Sequence, residues 1–155
     1  MPDRQGNFLR QWQPEGMDTV HCLGLGRDGL VYVCNRENAR IQVYDKQGSL
    51  KRTIDVPWKP VTPPADGVVK QSGGASVALG FSPDPSQRLI FVINQNNAQI
   101  EVIDREAGKI VESFGQIGKL PGEFDQAHGI AVDSKGNVYV AENRGRRVHK
   151  FHPAE

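Results

Sequence analysis

Four histidines, two cysteines and one short basic run carry most of the side chains in this 155-residue chain that could take part in chemistry. His21 and His128 stand at the head of similar apolar runs, Val20-His21-Cys22-Leu23-Gly24-Leu25 and Ala127-His128-Gly129-Ile130-Ala131-Val132. Neutral imidazole suits zinc, but a zinc site is tetrahedral and two histidines supply only half of it. The alternative is local: a histidine that caps the start of a strand and hydrogen-bonds the neighbouring loop. Zinc and calcium are the cofactors considered, and the pattern requires neither.

Cys22 and Cys34 are read as buried free thiols, small residues where neighbouring sheets press together. A cross-strand disulfide is the alternative, and the strain of that geometry speaks against it. The cluster Arg144, Arg146, Arg147, His149 and Lys150 is split between faces by strand alternation and lies near Glu142. It reads as a solvated, ion-paired edge, so no nucleic-acid partner is expected. No phosphate-cradling Gly loop, Cys-x-x-Cys pair or nucleophile elbow occurs. Ser134 is close to His128 in sequence but belongs to a hairpin turn at the opposite rim.

The elements that must position these residues are set by an internal repeat. The segment from Val20 to Val33 aligns without a gap on Ala127 to Val140 at an offset of 107 residues. Leu30 to Asp45 aligns on Leu89 to Asp104 at an offset of 59. In each copy an apolar run, a Gly- or Asp-containing turn and a second run precede an Asn-rich loop; an alternating strand, another turn and a fourth strand complete the unit. These are strand and hairpin signals, and no 3.6-residue periodicity competes with them. Four antiparallel strands per unit of roughly 50 residues predict an all-β β-propeller. The segment Asp3 to Trp12 aligns on Asp45 to Ile54 at an offset of 42, so the chain opens on a fourth strand and closes after a third. The predicted layout is an orphan outer strand at 1–12, blade 1 at 18–54, blade 2 at 74–115, and the first three strands of blade 3 at 127–151. Together these make three four-stranded blades, half of a six-bladed ring.

Charge and composition exclude several classes. The 19 Lys and Arg nearly balance the 18 Asp and Glu, so no global field draws the chain to nucleic acid or membrane. The 17 Gly and 10 Pro fit many short elements joined by turns. No apolar stretch approaches the ~20 residues that cross a bilayer. Met1-Pro2-Asp3-Arg4 leads straight into patterned sequence without a signal peptide. The chain is expected to be soluble, in a compartment the sequence does not specify.

The segment Phe124-Asp125-Gln126-Ala127-His128-Gly129-Ile130-Ala131-Val132-Asp133-Ser134-Lys135-Gly136-Asn137-Val138-Tyr139-Val140-Ala141-Glu142 resembles an NHL repeat, and the other copies fit the same pattern. That resemblance implies a propeller, most often six-bladed. Within the group, Asn35-Arg36-Glu37-Asn38-Ala39-Arg40-Ile41-Gln42 and the two strand-opening histidines resemble the peptidylglycine amidating lyase branch. Those enzymes dealkylate peptidyl-hydroxyglycine with a zinc held by histidines in the central channel. By that resemblance His21 and His128 would be metal ligands on blades separated by one other. The sequence departs from the branch elsewhere: no position matches its third zinc histidine or its catalytic arginine and tyrosine.

In a propeller, the starts of the innermost strands share a rim with the loops between second and third strands. Here that rim would gather His21 and His128 with Arg36, Glu37, Gln95, Asn143 and Arg144, plus Trp58 from the long Pro-rich insert after Ile54. Trp58 offers an amphipathic contact surface or folds down onto its own blade. The expected role is a binding or assembly module recognising a peptide, protein or small ligand at this rim. A metal-dependent, amidating-lyase-like enzyme completed by dimerisation is the alternative. Three blades leave half a circle open, so a two-fold homodimer closing a six-bladed ring is the expected assembly.

Overall fold

The structure is a computed structural model and describes residues 6–59 and 74–152. Its strands form three antiparallel meanders. The first holds β1 (Val20–Leu25), β2 (Val31–Asn35), β3 (Arg40–Tyr44) and β4 (Leu50–Asp55); the second holds β5 (Ser76–Phe81), β6 (Leu89–Asn94), β7 (Gln99–Asp104) and β8 (Lys109–Phe114). Two short strands, β9 (Gln116–Ile117) and β10 (Glu123–Phe124), pair in parallel within the connection that follows. The third sheet is β11 (Ala127–Val132), β12 (Val138–Glu142) and β13 (Val148–Phe151). No helix occurs among the described residues. The three sheets are blades of a β-propeller, and β1, β5 and β11 are their innermost strands.

Alternation along each strand sends one set of side chains toward the preceding blade and the other toward the next. Tyr32, Ile41, Val43 and Ile54 of blade 1 meet Ile90, Val92 and Ile103 of blade 2 in one core; Ile93, Ile100 and Phe91 meet Val138, Val140 and Phe124 in the second. Gly24 lets the innermost strands approach, because a Cβ there would lie 2.5 Å from Leu79 Cδ1. The turns are fixed by carboxylates. Asp45 accepts from the Gln47 and Ser49 amides, and Asp133 from those of Lys135 and Asn137.

Two expectations are corrected. Cys22 and Cys34 form a disulfide and are not free thiols. They are directly paired across β1 and β2 with Cα atoms 5.0 Å apart, a separation that a disulfide spans. Leu23 and Leu25, whose pattern places them in the core, are 69% and 59% exposed. They point away from blade 2, which Gly24 between them meets, onto the face of blade 1 that no blade among the described residues covers.

Residues 6–12, expected as an outer strand, pair in no ladder, and residues 1–5 lie outside the described residues. The segment nevertheless lies against blade 1. Trp12 covers Gly48, Arg10 donates to the Gln47 carbonyl, and Gly16 O accepts from Asn35 and Arg40. Residues 60–73, most of the Pro-rich insert, also lie outside the described residues.

Candidate functional site

Each innermost strand begins with a register shift against its neighbour, between Val20 and Cys22, between Ser76 and Leu79, and between Ala127 and Gly129. His21 and His128 occupy such bulges, which re-aim a side chain out of strict alternation. The middle copy has Val77 there, and Val77 is buried. The two imidazoles meet edge to face, with ring centroids 5.2 Å apart. His21 Nδ1 lies 2.7 Å from the Val77 carbonyl. A carbonyl can only accept, so Nδ1 carries the proton and the Nε2 lone pair is left available in the neutral ring. Partial burial, then the neighbouring His21 and Arg36, hold His128 below its ordinary pKa of 6.5.

The loops between second and third strands are built alike. Ala39, Ala98 and Arg146 adopt left-handed φ of 51°, 51° and 52°. The Arg36, Gln95 and Asn143 amides donate to Thr19, Ala75 and Gln126, the residues that lead into each innermost strand. Behind them lies a repeated polar pair. Asn35 Nδ2 donates to Gln42 Oε1 and to Gly16 O; Asn94 Nδ2 donates to Glu101 Oε1 and to Pro57 O. In blade 3 the pair is Glu142 and His149, and Glu142 Oε1 accepts from the Asp125 amide. Each pair pins the chain that leads into its own blade. Sequence reasoning missed this device, although equal offsets between Asn35–Gln42, Asn94–Glu101 and Glu142–His149 carried the signal.

The rim residues divide by what they touch. Arg36 pairs with Glu37 at 3.0 Å and packs on Gly74 beside the histidines. Gln95 is buried, its Nε2 donating to the Ala127 carbonyl, so it joins blades 2 and 3. Asn143 shares a polar hollow of about 610 Å³ with Lys119, Asp125, Arg144, Arg146 and Arg147. Arg144 faces Asp125 at 3.7 Å, and Arg147 is bound to Glu142 and to backbone carbonyls, so the cluster is ion-paired. Trp58 is 42% exposed and stands apart from the histidines in sequence, on the connection to blade 2. No group of three His, Cys, Asp or Glu suited to a metal occurs among the described residues.

A family model of the NHL repeat matches residues 124–151. The comparison with curated proteins finds no match. Among solved structures the chain is similar to Kuenenia stuttgartiensis hydrazine synthase, at 14% identity and a TM-score of 0.57 over 88% of this chain and 33% of that one. It is also similar to the WD40 β-propeller domain of Doa1, at 17% identity and a TM-score of 0.60 over 89% and 38%. The β-propeller domain of Myceliophteria thermophila Cps50 (Swd1) matches at 13% identity and a TM-score of 0.50 over 88% and 35%. The chain spans between 33% and 38% of the length of these structures.

Proposed function

We propose that this chain is a propeller module that recognises a peptide, protein or small ligand at the rim bearing His21, Arg36, Glu37, His128, Asn143 and Arg144. The observation that carries it is the contrast within that rim. Its loop backbones are pinned by the same hydrogen bonds in every blade, while Glu37 and Asn143 differ from copy to copy and face outward. A rigid frame with variable polar side chains is how loops carry recognition. Panning a displayed peptide library on the immobilised chain tests it. Selected peptides should lose affinity with Glu37→Ala or Asn143→Ala and keep it with Lys46→Ala in a hairpin turn of the opposite rim. Equal affinity for all three variants would remove the rim from the proposal.

The full ring would come from two copies related by a two-fold axis, the open faces of blades 1 and 3 covering each other. A second reading has one observation in its favour, the His21–His128 contact with His21 Nε2 left available. Imidazoles of a two-copy ring would match zinc better than calcium, a hard ion that takes oxygen ligands. His21 and His128 of the two copies would supply four candidates, of which three would hold the zinc and leave its fourth position open to act as a Lewis acid, with Val77 fixing the His21 tautomer. Metal analysis of untagged protein decides. Zinc bound stoichiometrically and lost in His21→Ala and His128→Ala would favour the metalloenzyme; no zinc would leave the binding module.

A further inference from the structure

The outer edge of β13 is unpaired among the described residues. Beside it, between blades 2 and 3, runs an apolar groove of about 430 Å³ lined by Leu89, Phe91, Val102, Val138 and Phe151. The same groove one blade earlier, between blades 1 and 2, is lined by the repeat counterparts Leu30, Tyr32, Val43, Ile90 and Ile103, and there it is filled. Ile110, the first apolar residue of β8, packs into it, paired with Ile103. The counterpart of Ile110 in β4 is Leu50, paired with Tyr44, and the counterpart of Leu50 at the offset of 42 is Phe8. Phe8 is 76% exposed in the single chain.

The segment around Phe8 already stands to blade 1 as a fourth strand stands to the next blade. Arg52 Nη1 donates to Glu106 O in the β7–β8 turn of blade 2; Arg10 Nη1, its counterpart, donates to Gln47 O in the matching turn of blade 1. Ile54 lies on Gly108, and its counterpart Trp12 lies on Gly48. Asn94 anchors Pro57 O after β4, and Asn35 anchors Gly16 O after Trp12. Three contacts of a preceding blade's outer strand are thus made by a segment that pairs in no sheet among the described residues.

We propose that residues 8–12 of a second copy add to β13 as its fourth strand and seat Phe8 in the groove beside Phe151. This seam presupposes the two-copy ring proposed above. Its register follows from β3 and β4, where Ile41 faces Ile54, Val43 faces Arg52 and Tyr44 faces Leu50 across a bulge. Val148 then faces Trp12, Lys150 faces Arg10, Phe151 faces Phe8, and Leu9 is the bulged residue. Lys51 and Val111 hold that bulged position in blades 1 and 2, and both are exposed. A one-residue slip would turn Phe8 away from the groove.

The test mixes chains carrying Arg10→Cys with chains carrying Lys150→Cys under mild oxidation, beside light scattering of the unmodified chain. A covalent dimer is expected from the mixture, little from either variant alone, and little when Gln11→Cys replaces Arg10→Cys. Phe8→Asp should weaken association roughly tenfold or more while leaving the circular-dichroism spectrum of the dilute chain unchanged, since Phe8 is exposed there. A dimer that fails to link at 10 and 150, links equally at 11 and 150, or tolerates Phe8→Asp overturns this seam and leaves the ring standing. A chain that stays monomeric overturns both.

Discussion

Individual side chains here fall into three physical classes, and each responds to a different perturbation. Ile41 is fully buried between blades 1 and 2, so Ile41→Ala should cost about 2–4 kcal/mol through lost transfer and the cavity left behind. Lys46→Ala in an exposed turn should cost less than about 0.5 kcal/mol, and urea denaturation of the two variants checks the contrast. The turn carboxylates form the second class. Hydrogen bonds and, for Asp45, the Lys51 ammonium hold Asp45 and Asp133 at about 2, against an ordinary 3.8. A depressed folded-state pKa means stability that is present above the ordinary value and lost as pH falls toward the folded one. The urea midpoint should therefore fall between about pH 4 and pH 2, and less steeply in an Asp45→Asn, Asp133→Asn double variant. His128 is the third class. Its pKa is depressed too, so folding favours the neutral ring, and its proton NMR titration should fall below the ordinary 6.5.

Among the elements, the β1–β2 hairpin has a covalent tie that its counterpart β11–β12 does without. Gly129 faces Ala141 at the positions of Cys22 and Cys34. The bond closes a short loop, its cysteines 12 apart in sequence, in the blade whose Leu23 and Leu25 are exposed. Replacing both cysteines by serine should lower stability by up to about 3 kcal/mol in the loop-entropy account. Thiol titration of the denatured, unreduced chain should find no free thiol; two free thiols would contradict the pairing. The repeated strand-two to strand-three clamp makes a separate forecast. Asn94→Leu removes the donor to Glu101 Oε1, leaving that buried carboxylate only Ser113 on Oε2, and frees Pro57 O, so it should destabilise more than the same change at Asn38, which is exposed.

At the scale of the molecule, three wedge-shaped blades expose apolar residues on both outward faces: Val20, Leu23 and Leu25 on blade 1, and Val148 on blade 3. Faces of that kind are normally covered. Light scattering at low micromolar concentration should give twice the chain mass, and removal of residues 1–12 should abolish the association. A folded monomer under those conditions would sink the ring. Leu23→Ala adds an independent arm. It should leave a dilute monomer nearly unaffected, because Leu23 is 69% exposed there, and weaken the proposed dimer, whose partner would cover it.

Local pattern was enough to determine the strands, their turns and their grouping into blades, because alternation and Asp/Gly turn chemistry act over fewer than ten residues and recur at fixed offsets. The offset between Trp12 and Ile54 predicts an outer strand over the first twelve residues, but residues 6–12 pair in no ladder within the single chain. Partial burial of residues on the end blades was not legible in the same way: Leu23 and Val33 share one pattern and one face, yet Val33, paired with Gln42 that donates to Glu15 O, is buried and Leu23 is exposed. The disulfide depended on register, since only direct opposition brings Cys22 and Cys34 within reach. The histidine contact depended on bulges, which shift a side chain between faces without leaving a mark in composition. Gln95 looked like a rim residue by its loop position and became a bridge between blades because the Ala127 carbonyl stands over it, a neighbour 32 residues away that only the packed structure supplies.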